Sequence, residues 1–150
     1  MADTRTDHYI LFTVAGTTYA LPSDQVAHVE MVEHVTRVPN AAPFVDGVVF
    51  SRGQVVPAIN MRARFGFERT AQDLRTRLLV VQNGTRHVGL LVDGCREFLT
   101  IPAAAVLPPA EGLSSDGARS IAGVATLGDR LVVVLDLDAL LNSEEPLLTA

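Results

Sequence analysis

Gly47-Val48-Val49-Phe50-Ser51-Arg52-Gly53-Gln54-Val55-Val56-Pro57-Ala58-Ile59-Asn60-Met61-Arg62-Ala63-Arg64-Phe65 decides the fold, because its outline occurs twice. Seventy-six residues on, Gly123-Val124-Ala125 answers Gly47-Val48-Val49, and Arg130-Leu131-Val132 answers Gln54-Val55-Val56. Leu135-Asp136-Leu137 then answers Ile59-Asn60-Met61, and Ala139-Leu140-Leu141 answers Ala63-Arg64-Phe65. Each copy reads as a hairpin: apolar, β-branched runs flank a turn, Arg52-Gly53 in the first and Gly128-Asp129 in the second. Each ends in a short helical segment, Asn60 to Phe65 and Asp136 to Leu141, with Asp136 placed as an N-cap.

The flanking segments repeat too. At a spacing of 68, Ile10-Leu11-Phe12 falls on Leu78-Leu79-Val80 and Gly16-Thr17 on Gly84-Thr85. At 69, Ala20-Leu21 falls on Gly89-Leu90, Asp24 on Asp93 and Val29 on Phe98. Strands are expected over Ile10 to Val14 and Thr18 to Leu21, over Arg77 to Gln82 and His87 to Val92, and over Gly94 to Ile101. The Asn83-Gly84 dipeptide is the strongest short hairpin signal in the chain. Val26, Val29, Val32 and Val35 recur at a helix-like spacing, but their β-branching favours a turn followed by a strand. Residues 66–76 are polar and aperiodic and read as a connection; residues 102–120, around Pro108-Pro109, read as a long loop.

Many short strands with little helix predict an all-β protein built of barrels or sandwiches. The repeat predicts two similar barrels with short helical caps, about 8–68 and 75–142, within one unit spanning 8–142. Strand exchange between the barrels stays open, and residues 1–7 and 143–150 are expected to be flexible tails. Barrels this small have marginal cores, so the two should pack on each other. The seam between them is then the natural concave surface for a partner.

Composition narrows the function. Of 150 residues 48% are apolar, enough for a real core, and the formal charge is −5. All 12 basic residues are arginine, a matter of genome composition. An acidic chain repels phosphate backbones, and Arg62, Arg64, Arg69, Arg75 and Arg77 form only short basic stretches, so no nucleic-acid partner is expected. One cysteine, Cys95, excludes an internal disulfide and fits a reducing compartment. The polar N-terminus is neither signal peptide nor anchor, and no apolar run spans a bilayer. A cytoplasmic protein without direct membrane contact is expected.

No catalytic constellation emerges. Cys95 lies near His87 and Asp93 in sequence, but it falls opposite Val26 in the repeat, which marks a small packing position. His8, His28, His34 and His87 lack metal-ligand spacing, and no phosphate-binding glycine loop occurs. Asp136 and Asp138 suit helix N-terminal charge better than acid–base work. Neither an enzyme nor a metal or other cofactor is predicted.

Several stretches resemble the CheW domains of bacterial chemotaxis. Tyr9-Ile10-Leu11-Phe12 with Gly16 and Tyr19-Ala20-Leu21 is similar to their opening, and Val35-Thr36-Arg37-Val38-Pro39 to their inter-strand loop. Gly47 to Pro57 resembles a family stretch with an Asn-Leu-Arg-Gly turn. Val88 to Gly94 resembles the second-half motif, and Gly123 with Leu127-Gly128-Asp129-Arg130 and Leu140-Leu141 the ending. The resemblance implies two packed SH3-like five-stranded barrels. It implies a non-enzymatic adaptor that couples chemoreceptors (methyl-accepting chemotaxis proteins) to the histidine kinase CheA. The partners would be the chemoreceptor cytoplasmic tip, held in the groove between barrels, and the CheA regulatory domain, met edge to edge.

Carried over by position, the receptor-binding groove would include Val26, His28, Val29, Gly47, Arg52 and Phe98. Apolar residues there suit a helix laid in a groove, and the Arg52 fork suits a carboxylate or helix carbonyls. Gly53 and Gly123 would serve backbone geometry near that surface. Two positions depart from the pattern: His28 stands where the family often has Glu, and Phe50-Ser51 stands where it has Asn-Leu. These departures suggest an altered receptor preference, or an adaptor of a parallel or non-flagellar array that has lost one contact. A thiol hydrolase and a nucleic-acid-binding barrel are the remaining alternatives.

Overall fold

The structure is a computed structural model, described here over residues 6–108 and 120–141. Eleven strands follow in order: β1 (Thr6–Val14), β2 (Thr17–Pro22), β3 (Val26–Met31), β4 (Val45–Ser51), β5 (Gln54–Asn60), β6 (Arg77–Asn83), β7 (Arg86–Val92), β8 (Gly94–Pro102), β9 (Val106–Leu107), β10 (Ile121–Leu127) and β11 (Arg130–Leu135). Helix α1 (Met61–Arg64) follows β5 and helix α2 (Leu137–Leu141) follows β11. Single 3-10 turns at Ser23–Gln25 and Ala103–Ala105 lead into β3 and β9.

The strands form two sheets. Barrel 1 has the order β3-β6-β7-β5-β4, and barrel 2 the order β8-β1-β2-β11-β10-β9. Hairpin β1–β2 therefore sits among strands of the second half, and hairpin β6–β7 among strands of the first. The junctions are parallel, β5 beside β7 and β11 beside β2, while the other pairings are antiparallel.

The internal repeat maps one sheet onto the other strand for strand: β3, β6, β7, β5 and β4 correspond to β8, β1, β2, β11 and β10. At a spacing of 76 even the irregularities coincide, with a bulge between Val45 and Gly47 and another between Ile121 and Gly123. For β1 to β3 the spacing that holds is 69, not 68: Ile10 pairs with Leu21 as Leu79 pairs with Leu90. Matching Gly16 to Gly84 shifts the alignment by one residue. In a strand that one-residue slip exchanges the two faces.

Three apolar clusters follow. Val49, Val56, Ala58, Leu78, Val80 and Leu91 fill barrel 1, and Tyr9, Leu11, Ala20, Ile101, Ala125, Val132 and Val134 fill barrel 2. The seam cluster between the barrels, with Ile10, Phe12, Leu21, Ile59, Met61, Leu79, Leu90, Leu135 and Leu140 among its members, is larger than both together. Small barrels that bury little inside themselves are thus held by each other. Phe12, Tyr19 and Phe65 stack across the seam, with centroids 6.0 and 5.0 Å apart. The caps repeat as well: Asn60 accepts from the Ala63 amide and Asp136 from the Ala139 amide, both at 3.1 Å.

Barrel closure is partial. After β3 the chain crosses to the far edge, where Thr36 exchanges backbone hydrogen bonds with Val48 at 2.9 and 2.8 Å. After β8 the two residues of β9 do the same against Val124 and Ala125. Gly47 and Gly123 make these crossings fit: a Cβ on Gly47 would run into the Thr36 carbonyl, and one on Gly123 would lie 2.6 Å from the Leu107 carbonyl oxygen. Strand β9 occupies part of the segment read from sequence as loop; residues 109–119 of that segment lie outside the described residues. Thr6 and Asp7, read as tail, belong to β1, whereas residues 1–5 and 142–150 lie outside the described residues.

Candidate functional site

The ladder pairings show where each candidate side chain points. Val29 lies opposite Leu79 and Val26 opposite Val81, both seam residues, so Val26 and Val29 pack, half-buried, on the seam face of β3. Phe98 holds the position on β8 that Val29 holds on β3, opposite Ile10 of the seam cluster, and is 71% exposed. Cys95 corresponds to Val26 and packs against the same cluster; burial pushes its thiol up, so it stays a thiol at neutral pH.

His28 lies on the other face. A bulge between Val26 and His28 resets the alternation, and His28 comes opposite Val80, inside barrel 1. There its Nε2 is 3.0 Å from the Ser51 Oγ and 3.3 Å from a Glu30 carboxylate oxygen. Ser51 is buried and donates its only hydroxyl proton to Glu30 at 2.5 Å, the short distance of a charge-assisted bond. The hydroxyl can then only accept from His28, so the network assigns the proton to Nε2. This is not a nucleophile relay: imidazole and carboxylate both meet the serine hydroxyl, and no acceptor nitrogen is left facing it. Sequence reading missed Glu30 and met Ser51 only as half of the Phe50-Ser51 departure, without a role. The available signal was a serine on the inward alternation of an otherwise apolar strand, Val45, Gly47, Val49, Ser51.

Next to Ser51 stands the β4–β5 turn. Arg52 and Gly53 both have positive φ, +48° and +83°, as a tight two-residue hairpin requires. Gly53 meets this at no steric cost, whereas Arg52 brings a Cβ into the left-handed region. Phe50 and Val55 pair across this hairpin and stand 73% and 65% exposed on its outer face. The structure thus gathers His28, Ser51 and Arg52 at one rim of barrel 1. Gly47 sits further along β4 at the closing bridge, and Phe98 stands on the matching strand of barrel 2.

The arginines of the first connection are engaged internally. Arg62 binds Asp93 with both Nε and Nη2, at 2.7 to 3.0 Å, and the Ala15 amide donates to the same carboxylate at 2.8 Å. Burial alone would raise the Asp93 carboxyl; the guanidinium and the amide outweigh it and hold it below the usual carboxylate range. Arg69 binds Asp46 and the Pro43 carbonyl, and Arg77 caps the Leu74 and Thr76 carbonyls. Among the described residues no cluster of His, Cys, Asp or Glu could hold a metal ion, and no helix is long and apolar enough to cross a membrane.

The comparisons agree with this architecture. The family model described as CheW-like domain matches residues 8–145. A chemotaxis protein CheW of Klebsiella aerogenes is 31% identical over 137 residues, covering 91% of this chain and 82% of that protein. The chemotaxis protein CheW of Bacillus subtilis is 30% identical over 135 residues, covering 90% and 86%. The crystal structure of the scaffolding protein TtCheW from Thermoanaerobacter tengcongensis superposes with a TM-score of 0.86 over 96% of this chain and 98% of that one, at 22% identity. That likeness is one of fold, two packed all-β subdomains.

Proposed function

The chain belongs to the CheW-like domain family, and from that premise we propose that it is a non-enzymatic cytoplasmic adaptor coupling chemoreceptors to the kinase CheA. One observation carries the receptor half of this reading. Arg52 is held with a left-handed backbone beside a hydrogen-bonded rim, at a turn position where glycine would be less strained. Strain kept at an exposed turn supports a use for the guanidinium, and a fork of donors suits the carboxylates and free carbonyls of a helical receptor tip. The half-buried Val26 and Val29 and the exposed Phe98 supply apolar surface for the same helix-in-groove mode.

Calorimetry against a soluble receptor signalling tip and, separately, against the CheA regulatory domain tests the reading. Binding to both at micromolar strength or tighter supports coupling. Binding to the tip alone supports the specialised adaptor, a reading that Phe50-Ser51 in place of the family's Asn-Leu, with Phe50 exposed, favours. Binding to neither overturns the function and leaves the fold intact.

A further inference from the structure

We propose that His28, Glu30 and Ser51 form a clip that fixes the Arg52 turn against β3, which makes His28 and Ser51 positioning residues for the Arg52 guanidinium. The binding part of this inference rests on the receptor reading above; the structural part does not.

The geometry comes first. Ser51 is the last residue before the turn, and its hydroxyl is held from two sides by groups of β3, more than twenty residues away in sequence. In barrel 1, β3 and β4 are the two ends of the sheet. Near this rim the bonds of the clip tie the two together, while the backbone bridge from Thr36 to Val48 lies further along β4. A hairpin tip is ordinarily among the most mobile parts of a sheet. Here the residue at its base is anchored.

Barrel 2 shows that the fold does not demand this arrangement. The positions of His28, Glu30, Ser51 and Arg52 are taken there by Glu97, Leu99, Leu127 and Gly128. Leu99 and Leu127 pack on the interior of barrel 2, and Gly128 takes the positive φ without strain. The same backbone is thus completed in one copy by two inward leucines, a turn glycine and Glu97, which binds Arg130 at 2.8 Å. In the other it carries a buried serine between a half-buried histidine and glutamate, which apolar packing could replace, beside a strained arginine. Barrel 2 ties its own hairpin by an exposed Glu97–Arg130 pair, but a serine hydroxyl held from β3 directly beneath a strained turn arginine occurs in barrel 1 only, and Ser51 and Arg52 adjoin in sequence. That coincidence assigns the clip to the arginine.

Amide hydrogen exchange and tip binding test the proposal on the full chain. Ser51→Ala and His28→Ala should each speed exchange of the Arg52, Gly53 and Gln54 amides by about tenfold relative to the Gly128 turn, and His28→Gln, which keeps an N–H donor, should restore protection. In calorimetry against the receptor tip, Ser51→Ala should weaken binding by roughly three- to tenfold, and should add little once Arg52→Ala is present. Unchanged exchange in both alanine variants overturns the clip, whatever the tip does. Additive losses in the double variant overturn positioning in favour of an independent contact. If Arg52→Ala binds the tip like the natural chain, the receptor reading fails instead, and exchange alone decides the clip. Melting curves identify any variant that has failed to fold, with His28→Gln as the substitute.

Discussion

The two barrels agree at their closing edges and disagree at their rims. Gly47 and Gly123 occupy the same bulge, admit the same crossing chain and lead to the same capped helical turn. At the hairpin end, barrel 1 carries His28, Glu30, Ser51 and Arg52, and barrel 2 carries Glu97, Leu99, Leu127 and Gly128, with Glu97 bound to Arg130 at 2.8 Å instead. What both copies keep is what the fold requires: room for a backbone crossing, a cap and an inward apolar alternation. What only one keeps is free to serve something else.

The largest expected effect tests the shared part. Gly47→Ala places a methyl group against the Thr36 carbonyl at a positive φ, with backbone on the receiving side, and should cost about 3 kcal/mol or more. Gly123→Ala also meets backbone, the Leu107 carbonyl, but without an unusual φ; about 2 kcal/mol is expected. Denaturant unfolding of both variants measures this. A neutral alanine at either position would break the equivalence of the two closures, and a reversed order would show that β9 is the more rigid crossing.

A second asymmetry lies at the seam. The repeat sets Asp138 where barrel 1 has Arg62, and Asp24 where it has Asp93, so the Arg62–Asp93 pair has no mirror image. Asp93 carries a lowered folded-state pKa. Its stabilisation is therefore complete above the usual carboxylate range and is lost as pH falls through the folded value. Asp93→Asn should cost about 1–2 kcal/mol at pH 7, the modest figure reflecting a partly exposed pair, and the cost should shrink toward pH 3. Unfolding free energies of both proteins across that range give the answer; parallel curves would show that the pair contributes nothing linked to Asp93 ionisation.

Sequence carried the fold further than the site. The hairpins, the second cap and the repeat follow from local chemistry: Asn-Gly and Arg-Gly turns, β-branched runs, and Asp136 before its helix; Asn60, read as part of its helical turn, takes the same capping place. Strand β9 was hidden because its two residues have no pattern of their own, and their pairing depends on the bare Cα of distant Gly123. The one-residue error in spacing arose because the two turns put glycine at different places, Gly16 second in one and Gly84 first in the other. Val26, Val29 and Phe98 were named through the family resemblance alone; the repeat set Val29 on Phe98 without saying which face either takes. The inward turn of His28 was not legible, since a bulge reverses alternation without leaving a residue signature. Ser51 was legible only as half of the Phe50-Ser51 departure and Glu30 not at all, because their bond depends on β3 and β4 being brought together.

The smallest expected effect separates fold from use most sharply, because it has the opposite sign. Arg52→Gly transplants the barrel 2 residue into the barrel 1 turn. It relieves a left-handed non-glycine backbone, worth about 1–2 kcal/mol, and adds unfolded-state freedom, worth about 0.5–1 kcal/mol the other way. Relief is the larger, so the variant should be more stable by roughly 0.5–1 kcal/mol, read as a raised denaturant midpoint with an unchanged slope. On the receptor reading, the same variant should lose affinity for the tip as Arg52→Ala does. Greater stability with weaker binding would show that this rim is kept against the preference of the fold. Lower stability would mean that the clip already holds the turn without strain, and Arg52 would then need no function to explain its place.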